Sequence, residues 1–485
     1  MQIIKNNSLQ KYSTLFILIF FFSCFEDQDD NFANASEIND FVWKGMNAAY
    51  LYKEDIYNLS NDRFDDSNEY TEYLNNYESP ELLFESLIHE RTNIDKFSLI
   101  VDNYIELQQY LSGTSTSNGL EYGLSFLPNS TNEIFGFVRY VHTGSQADLN
   151  NIKRGDIFRG INDIPLTIDN YSNLLSQETY TINFANYLDN NTDEIYDDLI
   201  EMNSISIELQ KVPLVKNPVH YYSTINSSGK KIGYLMYNQF VSNYDNYLET
   251  IFSEFKSNLI DEIIIDLRYN PGGSINSALL LSSLITGQFD QQIFNTEEWN
   301  NDIQNYWLNN DPEYLINRFI SSENSLGMNR VYILTTRSSA SASELVINCL
   351  DPYIDVIQVG TTTYGKYQAS VTLYDSENFS NQNINPSHNY ALQPLVLKTL
   401  NKNGVSDYYN GINPEYEFEE RPSNMGQIGS LDEPMLNFTI ALINSRIALN
   451  LQTQSLIFFN DNFKFDIIQR EMYIEDKDLK NLYEK

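Results

Sequence analysis

A serine hydroxyl and a lysine amine are the groups in this chain best suited to covalent chemistry. Ser341 stands in the run Ser339-Ala340-Ser341-Ala342-Ser343-Glu344, and Lys366 follows in Tyr364-Gly365-Lys366. A serine hydroxyl is a weak nucleophile at neutral pH and needs an adjacent base, a role that a desolvated lysine fills in place of histidine. Lowering a lysine pKa by three units costs roughly 4 kcal/mol, which only a dry, well-packed pocket supplies. Alanines on either side of Ser341 leave room for a substrate backbone. Pro271-Gly272-Gly273 carries amides unobstructed by side chains. A serine at a helix N-terminus also places the following amide, that of Ala342, where a tetrahedral oxyanion forms, and the helix dipole favours that charge.

These groups meet only if the chain folds as alternating strands and helices. Ile263 to Leu267 is a short apolar strand stopped by Asn270-Pro271-Gly272-Gly273, and Ile275 to Ile285 reads as a helix. Val331 to Thr336 is a second strand, followed by a small-residue loop and a helix from about Ala342 to Leu350; Val356 to Val359 is a third. In βαβ units the strands are parallel, so the loops leaving their carboxyl ends gather on one edge of the sheet. Ser341, Lys366 and the glycine pair all lie on such loops.

The rest of the chain divides by its pattern. From Ser36 to about Ser112 the period is helical: Ile38, Phe41, Val42, Met46 and Ala49 recur at three- and four-residue intervals, with Ser36 as the expected N-cap. Ser79-Pro80 opens a second helix through Ile88. No chemistry is read in this helical region. Between Gly113 and about Val212 the period shifts towards two, as in Ile134 to Val138 and Ile205 to Leu209, and predicts a small β-rich domain. A short helix after Gly144, a turn at Gly155-Asp156 and a hairpin around Asn162-Asp163 complete it. No repeat of solenoid length occurs, so the regions read as separate modules.

Composition excludes several functions. With 485 residues, 42% hydrophobic, the chain buries real cores, and 30 basic against 66 acidic residues give a net charge of -36, which repels nucleic acid. Cys24 and Cys349 are too few for a disulfide framework; Cys349, on the helix after Ser341, is read as a buried small hydrophobe. No Cys/His spacing fits a zinc site, and the four histidines form no HExxH pair, so neither a metal nor an organic cofactor is expected.

At the start, Lys5 and Lys11 precede an apolar run from Leu15 to Phe22 and then Ser23-Cys24, the pattern of a signal peptide. The run is too short to span a hydrocarbon core of about 20 apolar residues, so membrane attachment needs lipid on Cys24. Phe21-Phe22-Ser23-Cys24 resembles the lipobox of bacterial lipoproteins, although Phe21 stands where leucine is usual; a chance cysteine after a secretory signal is the plainer alternative. Residues 24–35 then form an acidic tether.

Two resemblances follow. Gly144 to Asp148, Ile152 to Phe158 and Ile161 to Leu166 resemble the most recognisable segment of PDZ domains. That likeness places Tyr122, Gly123, Leu124, Ser125 and Phe126 on the loop and strand that receive a peptide's C-terminal carboxylate. Ile265-Asp266-Leu267-Arg268-Tyr269-Asn270-Pro271-Gly272-Gly273, the Ser339-to-Glu344 run, Tyr364-Gly365-Lys366 and Gly411-Ile412-Asn413-Pro414 resemble the C-terminal processing (tail-specific) serine proteases. The resemblance implies a multidomain α+β chain: a helical N-terminal domain (36–112), a PDZ-like domain (113–212) and a core shaped like the Clp protease and crotonase fold (213–485). It implies Ser341 as nucleophile, Lys366 as base, and an oxyanion hole of Ala342 with either Gly272 or Gly273. Many members carry a glutamine four positions after the lysine; here Ser370 stands there and Gln368 two positions earlier, so either orients the amine. Ser339 and Ser343 are read as structural. The expected protein is a lipid-anchored serine endopeptidase of the cell envelope that takes polypeptides by their C-termini; a non-catalytic peptide- or glycan-binding lipoprotein is the competing class.

Overall fold

The structure, a computed structural model, describes residues 35–64, 66–189, 197–444 and 472–474. Cys24, the signal segment 1–23 and all but the last residue of the acidic tether lie outside the described residues.

Helix α1 (Ala35–Ala49) begins one residue before the expected cap and buries Phe41, Val42, Met46 and Ala49. Helix α2 (Pro80–Ser86) starts as expected, with proline in its first turn and the Ser79 hydroxyl accepting from the Leu82 amide at 3.3 Å. It stops two residues short of Ile88. Two differences from the sequence reading stand out. The helical region also contains a strand, Leu99–Val101, paired antiparallel with Ala391–Gln393. Its helices close no core of their own: Val42, Leu83 and Phe84 share one core with Leu248, Ile251, Ile263 and Leu345. Short helices with a single apolar stripe need a partner to cover it, and here the partner is the C-terminal region, so the first and last regions pack as one body.

The segment read as β-rich forms an antiparallel sheet of β1 (Leu120–Phe126), β2 (Ile134–Val141), β3 (Ile157–Ile161), β4 (Thr179–Leu188) and β5 (Leu199–Gln210), in that order, with β1 and β5 at the edges. The hairpin after β3 turns at Asn162-Asp163, both with positive φ (53° and 63°), as a tight two-residue turn demands. Thr114–Ser117 pairs antiparallel with Val212–Val215, so the chain enters and leaves this sheet through one ribbon.

Beyond it lies the sheet that positions the loops. β6 (Val219–Ser227) and β7 (Lys230–Tyr237) form an antiparallel pair; β7, β8 (Glu262–Asp266), β9 (Arg330–Thr335) and β10 (Asp355–Gly360) then run parallel in spatial order. Near-continuous apolar runs such as Ile263-Ile264-Ile265 suit strands buried on both faces. Helices α3 (Ile275–Thr286) and α4 (Ala342–Leu350) follow β8 and β9, within a residue of their predicted limits.

Under this sheet edge lies a buried ion cluster. Arg268, fully buried, donates from Nε to Asp266 at 3.0 Å and from Nη1 to Glu420 and Glu433 at 2.8 and 2.9 Å. Arg154, from the β2–β3 connection, pairs with the same Glu420 and donates to the Tyr269 hydroxyl at 2.6 Å and the Arg139 carbonyl at 2.8 Å. Burial alone would raise the Glu420 carboxyl; the Arg154 and Arg268 guanidiniums hold it down at about 2. Arg268 and Tyr269 lead directly into Pro271-Gly272-Gly273, so the β-rich sheet is fastened to the base of that loop. Replacing Arg154 with methionine removes one cation from this dry cluster while Glu420 keeps Arg268, and is expected to destabilise the chain by about 3 kcal/mol. Urea denaturation checks this, and an unchanged midpoint would contradict the bonding described.

Candidate active site

Ser341 caps α4 in a backbone conformation that few side-chain-bearing residues adopt, φ 65° and ψ −115°, and is fully buried. Its loop is pinned to the loop after β8 by its neighbours. The Ser339 hydroxyl donates to the Leu267 carbonyl at 2.7 Å, the Ser343 hydroxyl to the Asn270 carbonyl at 2.9 Å, and the Ala340 amide to that same carbonyl at 3.1 Å. Ser339 and Ser343 are thus spent on structure. The Ser341 Oγ faces the Glu344 backbone amide as the acceptor of a capping box and makes no hydrogen bond to another side chain among the described residues.

Gly272 and Gly273, both at positive φ (122° and 135°), fit where no side chain would. A Cβ on Gly272 would sit 2.6 Å from the Ser341 Cβ and 3.2 Å from the Ala342 amide nitrogen; one on Gly273 would sit 2.1 Å from the Phe240 carbonyl. Gly272, Ser341 and Ala342 are therefore in contact. The Gly272 amide, however, donates to the Asn270 Oδ1 at 2.9 Å.

Lys366 is fully buried, its Nζ 4.7 Å from the centre of the Phe97 ring. Its backbone explains how it reaches the serine loop. One Glu344 carboxylate oxygen accepts the Ser341 amide at 2.7 Å and the Lys366 amide at 2.9 Å. The other accepts the Gly365 amide at 2.6 Å and the Thr363 hydroxyl at 2.5 Å. A single side chain thus ties the two loops together. Burial pushes the Glu344 carboxyl up to about 7, against the lowering effect of these four donors.

Gln368 and Ser370 lie on one short strand, Gln368–Ser370. The Ser370 hydroxyl donates to the Met472 carbonyl and accepts from Gln393, both at 3.2 Å. Gln368 donates to the Tyr52 hydroxyl at 3.0 Å, and its Oε1 is buried with no hydrogen-bond partner among the described residues. Cys349 is a free, buried thiol.

The five residues expected to receive a peptide end differ from the reading in one respect. Tyr122 to Phe126 all lie within β1, none on a loop, because Tyr122 pairs with Val138 and Gly123 with Phe137. The preceding turn falls at Asn118-Gly119. β1 is an edge strand, and Leu124 and Phe137 line a cavity of about 1060 Å³ that extends to Gly365 and Gln368.

Two contributions had no sequence signal. Glu344 belonged to a quoted run without a role, since its partners at 363–366 become neighbours only through the parallel strands. Phe97 and Tyr52 come from the helical region in which no chemistry was read; Tyr52 continues the apolar spacing of the first helix, which marks it for packing and not for a site, and nothing marks Phe97. Among the described residues no group of three His, Cys, Asp or Glu side chains could hold a metal ion.

Comparison with known proteins bears on the family and the fold. Residues 231–417 match the model of Peptidase family S41, and residues 37–99 that of the Peptidase S41 N-terminal domain. The chain is 24% identical over 168 residues to the carboxyl-terminal-processing protease of Picosynechococcus sp., covering 33% of this chain and 35% of that protein. It is 25% identical over 216 residues to the carboxy-terminal processing protease CtpB of Bacillus subtilis, covering 44% and 38%. The matched stretch spans well under half the length of these relatives. A crystal structure described as an S41 protease from Bacteroides fragilis shares the fold, with a TM-score of 0.64 at 24% identity over 84% of this chain and 97% of that one. The chain therefore shares the mixed α/β fold of that structure, and its residues 37–99 and 231–417 carry the two family matches.

Glu344→Gln tests the tie between the loops. An amide faces at least one of the four donors with another donor, and a buried unsatisfied donor costs about 1–3 kcal/mol. Activity on an unfolded protein is expected to fall by roughly tenfold or more for a loss of that size. Stability separates by pH as well. The folded carboxyl, up at about 7, holds a proton that the unfolded chain releases near its ordinary value of 4.5, so this group's stabilisation is complete below pH 4.5 and fades as pH rises through 7. The melting-temperature advantage of the wild type over Glu344→Gln should therefore shrink from pH 5 to pH 8; a constant difference would refute the assignment.

Proposed function

We propose that this chain, whose residues 231–417 match the model of Peptidase family S41, is a serine endopeptidase of the cell envelope, anchored by lipid on Cys24, that cleaves unfolded or C-terminally recognised polypeptides. Ser341 is the nucleophile and Lys366 the general base. The observation that carries the reading is the Glu344 oxygen shared by the Ser341 and Lys366 amides, which joins the loops bearing the two groups.

The neutral Lys366 amine takes the Ser341 proton as Oγ attacks the scissile carbonyl carbon. The resulting oxyanion is met by the Ala342 amide at the N-terminus of α4. Glycine 272 or 273 supplies the second donor; for Gly272 that requires release from Asn270, to which its amide is bonded at 2.9 Å. Collapse expels the amine, which receives the proton from Lys366, and leaves an acyl-enzyme. Water then adds with the same lysine as base and frees Ser341. Base action requires a neutral amine, and the burial of Lys366 favours that form. Gln368 is the better candidate for orienting the lysine, because its Oε1 has no partner whereas the Ser370 hydroxyl is engaged with Met472 and Gln393.

The β-rich sheet is read as PDZ-like. An extended peptide end adds along the edge strand β1, and the chain continues into the cavity lined by Leu124 and Gly365.

Soluble protein begun after the tether should degrade an unfolded protein, and both Ser341→Ala and Lys366→Ala should abolish that turnover while retaining the wild-type melting profile. Turnover that survives either substitution would remove the dyad. Amidating the substrate's C-terminus should raise KM; cleavage of the amidated form with the same KM would remove C-terminal capture.

A further inference from the structure

The charge of the large cavity runs against that of the molecule. Over the whole chain 66 carboxylates face 30 cations. The cavity is lined instead by Arg91, Lys96, Arg139, Arg337 and Lys398, against Glu417, Glu419 and Glu420. Glu420 is neutralised from behind by Arg154 and Arg268, and Arg91 and Lys398 are matched by Glu85 and Glu298. Lys96, Arg139 and Arg337 remain, against Glu417 and Glu419.

With more than two carboxylates for every cation, a cation here finds a partner readily. Arg63, Arg159, Arg268, Arg318 and Arg330 each pair with a carboxylate within 4 Å. Among the described residues no carboxylate lies that close to Lys96, Arg139 or Arg337. The two arginines are nonetheless held in place. The Arg139 guanidinium carbon lies 5.3 Å from the centre of the Tyr269 ring and 5.9 Å from that of Phe137. The Arg337 guanidinium carbon lies 5.3 Å from the Tyr364 ring centre, and its Nη1 donates to the Thr363 carbonyl at 2.9 Å and the Asn410 carbonyl at 3.4 Å. Aromatic faces and carbonyls fix each guanidinium without neutralising it, which leaves a preorganised donor for an incoming carboxylate. Arg337 belongs to the loop that carries Ser341, and Arg139 to the strand beside β1.

From this we infer that the cleft selects polypeptides carrying carboxylate side chains in the segment that crosses it, an inference that rests on the peptidase reading for its catalytic consequence. The negative field of the whole molecule does not oppose it at contact range. Charges farther than about 8 Å are screened at physiological salt, whereas a carboxylate that reaches Arg139 or Arg337 meets a fixed guanidinium between low-dielectric walls, and the cleft's cations outnumber its remaining carboxylates.

The test uses three unfolded peptides of equal length and identical C-terminus whose internal segment is rich in glutamate, glutamine or lysine. They are offered to the soluble wild type and to the Lys96→Gln/Arg139→Gln/Arg337→Gln variant, with melting curves to verify folding. The wild type should favour the glutamate peptide over the glutamine peptide in kcat/KM by roughly tenfold, the lower end of what focused charge provides, and use the lysine peptide least. In the variant the ratio of glutamate to glutamine cleavage should fall close to parity. Equal use of all three peptides by the wild type, or an unchanged ratio in the variant, would overturn the inference. Binding of the same peptides to Ser341→Ala separates this from the peptidase reading. If nothing is cleaved yet the glutamate peptide binds more tightly, acidic selection stands and the catalytic assignment falls; if it binds no better than the others, acidic selection falls as well.

Discussion

One buried carboxylate holds the site together. Glu344 takes four donors from two loops, and no cation is among them. A carboxyl group removed from water is costly unless its oxygens are hydrogen-bonded, and here they are met by three amides and a hydroxyl whose positions are the geometry of the site. The dependence is mutual. Without the carboxylate, the amides of Ser341, Gly365 and Lys366 would be buried donors without acceptors; without the loops, the carboxylate would be unsolvated. A shorter aspartate would not bridge both loops, and a glutamine would meet a donor with a donor.

What was legible in the sequence is what strand and helix periodicity encode. The apolar run at 263–267, the helix from Ala342 to Leu350 and the glycine-bearing loop between β8 and α3 fell where composition and turn chemistry predicted them, and parallel topology accounts for their convergence. What was illegible depends on packing between distant segments. Phe97 lies under the Lys366 Nζ because Leu99–Val101 pairs with Ala391–Gln393, a contact that no local pattern announces. Tyr52 reaches Gln368 for the same reason: the first helices share the core of the last region instead of closing their own. The loop expected within Tyr122 to Phe126 is strand throughout because backbone pairing with β2 outweighs a single glycine, Gly123, whose missing side chain makes room for the Phe137 ring.

Charge is arranged with equal economy. In a chain of net charge -36 the cations are the scarce species, and several are placed where they do structural work. Arg268 alone meets Asp266, Glu420 and Glu433, and Arg154 joins Glu420 from the β-rich sheet. Clusters like this add little net stability over an apolar packing of the same volume, yet breaking one strands a buried charge, so they fix a unique arrangement. The arrangement fixed here is the start of the glycine loop. The β-rich sheet is therefore connected to the site twice, through the Thr114–Ser117 ribbon and through the Arg154 contact below Tyr269.

The backbone strain at Ser341 has a local account. A non-glycine residue at φ 65°, ψ −115° costs on the order of 1–3 kcal/mol and persists only if its surroundings over-determine it. Three fixed points do so. The Ser341 amide is held by Glu344, the preceding Ala340 amide by the Asn270 carbonyl, and the Ser343 hydroxyl by that same carbonyl. A hydrogen bond to a charged group contributes about 1.5–3 kcal/mol and a neutral one about 1 kcal/mol, so the set suffices to offset the strain. Relaxing Ser341 into an ordinary cap would turn its amide away from Glu344 and draw the Lys366 loop out of register with it. The strained serine, the glycine that leaves room for its Cβ and the carboxylate that holds its amide therefore form one structural unit.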